Sequence, residues 1–340
     1  MLKHIISLFF LLSILFAARA QPINLMQQGK PTSIRGLSVV DNKTAWISGS
    51  KGYVAFTTDG GKSWAWQQIK GFEQADFRSV YAFSAREAII MSSGTPALIL
   101  KTIDGGANWK VKYRNSDTTY FLDAMDFANV KHGLVLGDPI NNKFTLLETT
   151  NSGDTWHLFG NPPQALPNEA AFAASGTCLR FDQYFISIVT GGSYSRKLKL
   201  PTSNDSEAWS AEELLIKHGK QSQGAFSLSD ANGVIVGGDY KNDNSSDSVA
   251  QYYFYDAKDI SALNGTFLPK TPPAGYQSCV EGISRSTYIS TGTSGTNITT
   301  DGGKTWTKID GQSFNVCRKA RYGTLVLLAG NDGKIAIFEP

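Results

Sequence analysis

Arg35 and Arg78 occupy matching places in two related stretches, Ser33-Ile34-Arg35-Gly36-Leu37 and Asp76-Phe77-Arg78-Ser79-Val80. Neighbouring guanidinium groups can clamp a carboxylate or phosphate, because each presents a planar fork of N–H donors. Aligning the later stretches of the same kind adds Leu122, Glu169, Gln223, Ser278 and Asn315. All but Leu122 are polar where the flanking positions are mostly apolar or small, and Asp123 and Asp126 lie close by. Such a ring is either a solvated channel with internal ion pairs or an anion-binding or partner-binding mouth. Asp123 with Glu169 is a carboxylate pair of the kind a glycosidase needs.

Two long loops add candidates. Ser193–Lys199 is locally basic and carries Tyr194 and Arg196, and Asp239–Asp247 is acidic and carries Asp239, Tyr240 and Lys241. Asp138 follows Gly137 at the corresponding place of an earlier unit. Long loops on a rigid scaffold are where binding residues concentrate. The acidic loop lacks the Asp/Asn spacing and Gly of an EF-hand, so it reads as a solvated loop rather than a calcium site. His132, His157 and His218 have no evident Ser or Cys partner, and no HExxH, GxSxG, P-loop or GxGxxG occurs in a credible context. No catalytic residue, metal or cofactor is therefore assigned. Cys279 and Cys317 fall on adjacent inner strands at similar height, where buried thiols are the preferred reading and a disulfide the alternative; Cys178 leaves the count odd.

A repeat positions these residues. The pattern [ST]-x-[DN]-x-G-x-[STN]-W occurs from Thr57 through Asp59 to Trp64, from Thr102 through Asp104 to Trp109, from Thr149 through Asn151 to Trp156 and from Thr299 through Asp301 to Trp306. A decayed copy spans Thr202–Trp209. Asp or Asn accepts bonds from turn amides, Gly takes positive φ and Trp covers the turn, so the box reads as a structural hairpin staple. Successive box tryptophans lie 45, 47 and 53 residues apart, and the last gap of 97 has room for two units. That period, with alternating Val, Ile, Phe and Tyr runs, predicts an all-β seven-bladed propeller of four-stranded antiparallel blades. The seventh unit, from Ser313, has only three strands, and the N-terminal segment 21–32 is expected to supply the fourth and close the ring.

The chain has 340 residues, 32 basic and 29 acidic, which excludes a strongly basic nucleic-acid binder. Residues 1–20 combine Lys3 and His4, an apolar run over Ile5–Phe16 and Ala18-Arg19-Ala20, the pattern of a secretory signal cleaved after Ala20. The apolar run falls short of the ~20 residues a membrane span needs. The expectation is an exported periplasmic or secreted chain, with residues 21–340 forming a single monomeric domain not inserted in the membrane.

The boxes resemble the BNR or Asp-box repeat. SIRGLSVVDNKTAWISGSKGYVAFTTDGGKSW and FRSVYAF with ILKTIDGGANW are similar to the photosystem II stability/assembly-factor-like propellers. That resemblance implies a non-catalytic, extracytoplasmic seven-bladed protein whose partner is a protein or membrane complex of the envelope, bound in photosynthetic members through an arginine-rich patch. Arg35 and Arg78 are the arginines that recur here at an equivalent strand position. Sialidases share the boxes but need three arginines and a Phe/Tyr-Arg-Ile-Pro element, which is absent. A glycan- or peptide-binding module is the remaining alternative.

Overall fold

The computed structural model describes residues 22–203, 208–230, 233–254 and 265–339. The expected signal segment 1–20 and residues 204–207 of the decayed box lie outside the described residues.

Seven antiparallel sheets follow one another along the chain. Blade 1 consists of Ile34–Val39, Ala45–Gly49, Tyr53–Thr57 and Ala65–Gln68. Blade 2 runs from Asp76–Ala82 to Lys110–Asn115, blade 3 from Leu122–Phe127 to His157–Leu158, and blade 4 from Leu179–Phe181 to Ser210–Glu213. Blade 5 begins with Lys220–Leu228 and blade 6 with Cys279–Gly282. Blade 7 combines Val316–Lys319, Val326–Ala329 and Ile335–Phe338 with the N-terminal strand Ile23–Gln27, which pairs antiparallel with Ile335–Phe338. The expected closure of the ring by the N-terminal segment is therefore present.

Burial follows strand position. Second strands such as Ala45–Gly49 are buried throughout, because neighbouring blades cover both of their faces. Fourth strands such as Ala65–Gln68 lie at the rim and are exposed or half-buried. The core consequently lies between blades, as where Ile23, Ile34, Val316 and Leu328 pack together across the closure.

The Asp boxes link each blade to its predecessor. In the first box the Thr57 hydroxyl donates to Asp59 Oδ1 at 2.8 Å and accepts the Gly61 amide at 3.0 Å, while Asp59 accepts the Ser63 amide at 2.9 Å. The other three complete boxes repeat these bonds around Asp104, Asn151 and Asp301. Gly153 and Gly303 have φ of +78° and +96°, and a Cβ there would stand 2.2 Å from Ile89 Cδ1 and 2.9 Å from Tyr252 Cβ. Both clashes are with the preceding blade. Trp156 packs with Ile89 and Met91 of blade 2, and Trp306 with Val234 and Val236 of blade 5.

Candidate functional site

Four inner strands carry a one-residue slip against their neighbours. The slips fall between Ile34 and Gly36, Phe77 and Ser79, Leu122 and Ala124, and Ala225 and Ser227. The residues left outside the ladder are Arg35, Arg78, Asp123 and Phe226. A β-bulge re-aims the side chain it extrudes, and all four line one cavity of about 930 Å³ at the centre of the propeller. Ser278 and Asn315 precede the first strands of blades 6 and 7 and complete its wall.

This geometry corrects three positions of the expected ring. Leu122 is fully buried in the core, and the bulge gives its place to Asp123. Gln223 is paired in the ladder and donates to Asp239 at 3.0 Å, and Phe226 takes the extruded place. Glu169 lines the cavity as expected, but not from an inner strand. It belongs to the short strand Glu169–Ala170, which pairs with Gly191–Gly192 and through it extends blade 5 to six strands.

The loop candidates separate as well. Arg196 makes two bonds to Glu169, at 2.8 and 2.5 Å, and a third to the Gln164 carbonyl, so both side chains serve to hold the extra strand. With its carboxylate gripped by Arg196 and by the Thr190 hydroxyl, Glu169 is no free general acid, and the Asp123–Glu169 glycosidase pair has no support. Asp239 accepts Gln223 and the Lys241 amide, which anchors its loop. Tyr194 and Lys241 are exposed outside the cavity, whereas Asp138 and Tyr240 line it.

Four charged groups on the wall, Arg35, Arg78, Asp123 and Asp138, remain once the structural hydrogen bonds are set aside. Ser278 Oγ donates to the Asn315 carbonyl at 2.7 Å and Asn315 Nδ2 to the Ile34 carbonyl at 2.9 Å, so these two stitch blades 6, 7 and 1. Arg35 donates to the Ala174 carbonyl at 3.1 Å, and no described carboxylate lies within ion-pair distance of it. Burial, then the nearby Arg78 charge, pulls its pKa down. Arg78 is paired with Asp76 at 2.7 Å. Asp123 is fully buried and neither carboxyl oxygen has a hydrogen-bond partner. Burial and the Asp138 charge push its pKa well above the usual carboxylate range, against the opposing charge of Arg78. Asp138 itself is raised to about 6 by burial.

Opposite these groups stands an aromatic wall that the strand pattern did not reveal. Phe172 stacks on Phe226 with centroids 3.9 Å apart, and Tyr276 and Tyr240 meet Phe226 edge-on at 4.9 and 6.2 Å. Tyr240 is 46% exposed at the rim. The site thus combines an arginine lacking a counter-ion, a carboxyl group lacking donors and a rigid apolar surface.

Residues 17–117 match the family model described as Photosynthesis system II assembly factor YCF48, and residues 298–308 match the BNR/Asp-box repeat. Among solved structures, one described as YCF48 bound to D1 peptide is 15% identical with a TM-score of 0.62, covering 94% of this chain and 95% of that one. YCF48 from Cyanidioschyzon merolae is 16% identical with a TM-score of 0.57, over 94% of this chain and 98% of that one. The Pan2 WD40 domain of Neurospora crassa, at 14% identity and a TM-score of 0.60, covers 91% of this chain and 92% of its own. No curated protein matches the sequence. The structural likenesses bear on the fold, and together with the family matches they bear out the resemblance to an Asp-box propeller of the photosystem II assembly-factor type.

Proposed function

We propose that this propeller is an exported, non-catalytic binding scaffold that seats a segment of a protein partner in its central cavity, its client being an envelope membrane complex. The observation that carries this reading is Arg35, half-buried at the cavity wall with no described carboxylate within ion-pair distance of it. A guanidinium in that position gains most from an incoming carboxylate, because a desolvated charge-assisted bond is stronger than one in water. The Phe172–Phe226–Tyr276 wall supplies apolar area for a neighbouring side chain. An acidic peptide segment with an adjacent apolar residue has both features. That a propeller of the same fold has been solved with a D1 peptide supports a peptide rather than a small metabolite. Export follows from the apolar run at Ile5–Phe16.

The test is affinity capture from envelope extract with a chain starting at residue 21, read by mass spectrometry, for the wild type and the Arg35→Ala and Arg78→Ala variants. The wild type is expected to recover a defined membrane complex that both variants lose while their melting temperatures stay close to that of the wild type. Equal recovery by all three would overturn the role of the mouth.

A further inference from the structure

The inner strands also converge at their other ends, on the Asp-box side, around a second and smaller cavity of about 110 Å³. Its charged lining comprises Arg180, Arg318, Lys319 and Arg321 against Asp126 and Glu281. None of these residues lines the central cavity described above.

The two carboxylates do not balance the four cations. Glu281 Oε2 is shared, at 3.1 Å from Arg180 and 3.4 Å from Arg318. Asp126 is turned to the backbone and accepts the Phe127 and Phe181 amides at 3.0 and 2.9 Å. Arg321 donates to Ser38 Oγ at 3.0 Å and to the Ala82 carbonyl, with its guanidinium 4.4 Å from the centre of the Tyr81 ring. Lys319 Nζ donates to the Ile283 carbonyl at 2.8 Å. Neither Arg321 nor Lys319 has a described carboxylate within ion-pair distance. The imbalance is sharpened because burial raises the Glu281 pKa to about 7, against the opposing pull of Arg180.

Positive charge crowded into a small, partly enclosed space is unfavourable unless an anion answers it. Donors for one are at hand. A guanidinium has five N–H groups, and among the described residues Arg318 gives one of them to Glu281. The cavity has room for about three or four waters at ~30 Å³ each, the space of one compact ion rather than a peptide side chain with its backbone. Guanidinium forks match the O–P–O or O–S–O edge of a tetrahedral anion. We propose that the Asp-box end of the channel is a binding site for a small tetrahedral oxyanion, phosphate or sulfate, held by Arg318 and Arg321 with Arg180 and Lys319 beside them. A bound anion there would tie blades 4 and 7 together and stabilise the ring.

The test is calorimetric titration of inorganic phosphate and of sulfate into the chain starting at residue 21, in an anion-poor buffer, with chloride and acetate at matched ionic strength as comparisons. Saturable binding of one or both oxyanions is expected, together with a melting temperature that rises with their concentration. Arg318→Gln and Arg321→Gln should each weaken the binding by about tenfold or more, since each removes charge-assisted bonds. Should either variant fail to fold, the wild-type melting curves decide alone, through a rise with phosphate or sulfate beyond that with chloride or acetate. No saturable binding at millimolar concentration, or an equal effect of chloride or acetate, would overturn the proposal.

Discussion

Ile23 lies directly across from Phe338 in an antiparallel ladder, so residues from the two ends of the chain share one blade. Asn24 adds a 2.7 Å bond to Glu339 next to that pair. Ile23 is 2% exposed and packs in the core formed by blades 6, 7 and 1. Truncating it removes apolar contact at the seam where the propeller would otherwise open. Ile23→Ala is expected to cost about 2–5 kcal/mol, read as a lower urea midpoint. An unchanged midpoint would show that the seam contributes nothing to stability.

Asp123 is a buried carboxyl group without hydrogen-bond partners, which is an expensive way to fill an inner strand. Asp123→Leu keeps the branching of the side chain, places its bulkier methyls against the cavity and removes both orphan oxygens. The variant should be more stable than the wild type by about 1–3 kcal/mol, the cost of leaving a buried polar group unsatisfied. If the mouth binds a partner, the same variant should capture less of it, since sites that violate folding rules tend to be functional. A variant less stable than the wild type would mean that Asp123 has a structural partner after all.

Much of the architecture was legible because it is written locally. The Thr57-to-Trp64 box and its three complete counterparts make the same bonds wherever they occur, so one pattern counts blades. The missing fourth strand of the last blade pointed to the N-terminal segment 21–32, in which the strand is Ile23–Gln27. The site was harder to read. A bulge moves the side-chain alternation by one residue without changing composition, which is why Leu122 stood in for Asp123. Glu169 was misplaced because its strand belongs to the sheet of the following blade, a pairing between distant segments that no local period encodes. The close approach of Gly191 and Gly224, where a Cβ on Gly224 would stand 2.2 Å from Gly191 Cα, is its sole trace in the sequence. The Phe172–Phe226 stack likewise joins distant segments and has no periodic signal.

The boxes also define an acid limit. Hydrogen bonds to Asp59 from the Ser63 side chain and amide, and to Asp104 from the Asn108 side chain and amide, hold both carboxyls down at about 2. The ordinary value of 3.8 applies when the chain is unfolded. A carboxyl whose pKa is depressed by folding contributes stability above the unfolded value, and loses it as the pH falls through the folded one. The melting temperature should therefore fall between about pH 4 and pH 2. Asn151 makes the same bond to the Thr155 amide, at 2.9 Å, without titrating. The Asp59→Asn, Asp104→Asn double variant should accordingly fold and show a shallower decline over that range. An identical decline would place the acid sensitivity elsewhere.

Cys178, Cys279 and Cys317 are all free thiols and all buried. Burial pushes the Cys178 thiol up, so it is protonated as well as inaccessible. Cys279 and Cys317 are coupled across the interface of blades 6 and 7, where Cys279 Sγ lies 3.3 Å from the Cys317 carbonyl oxygen as its hydrogen-bond donor. Burial opposes ionisation of Cys279, but the bonds from Cys317 and the charge of Arg180 outweigh it and lower its pKa. A cysteine reacts only if reagent can reach it, and the strands on both sides keep reagent out. The native protein should therefore resist iodoacetamide at all three positions. Unfolded in denaturant without reductant, it should gain three alkyl groups by mass. A gain of one would reveal a Cys279–Cys317 disulfide, and labelling of the native chain would show that the interface between blades 6 and 7 opens in solution.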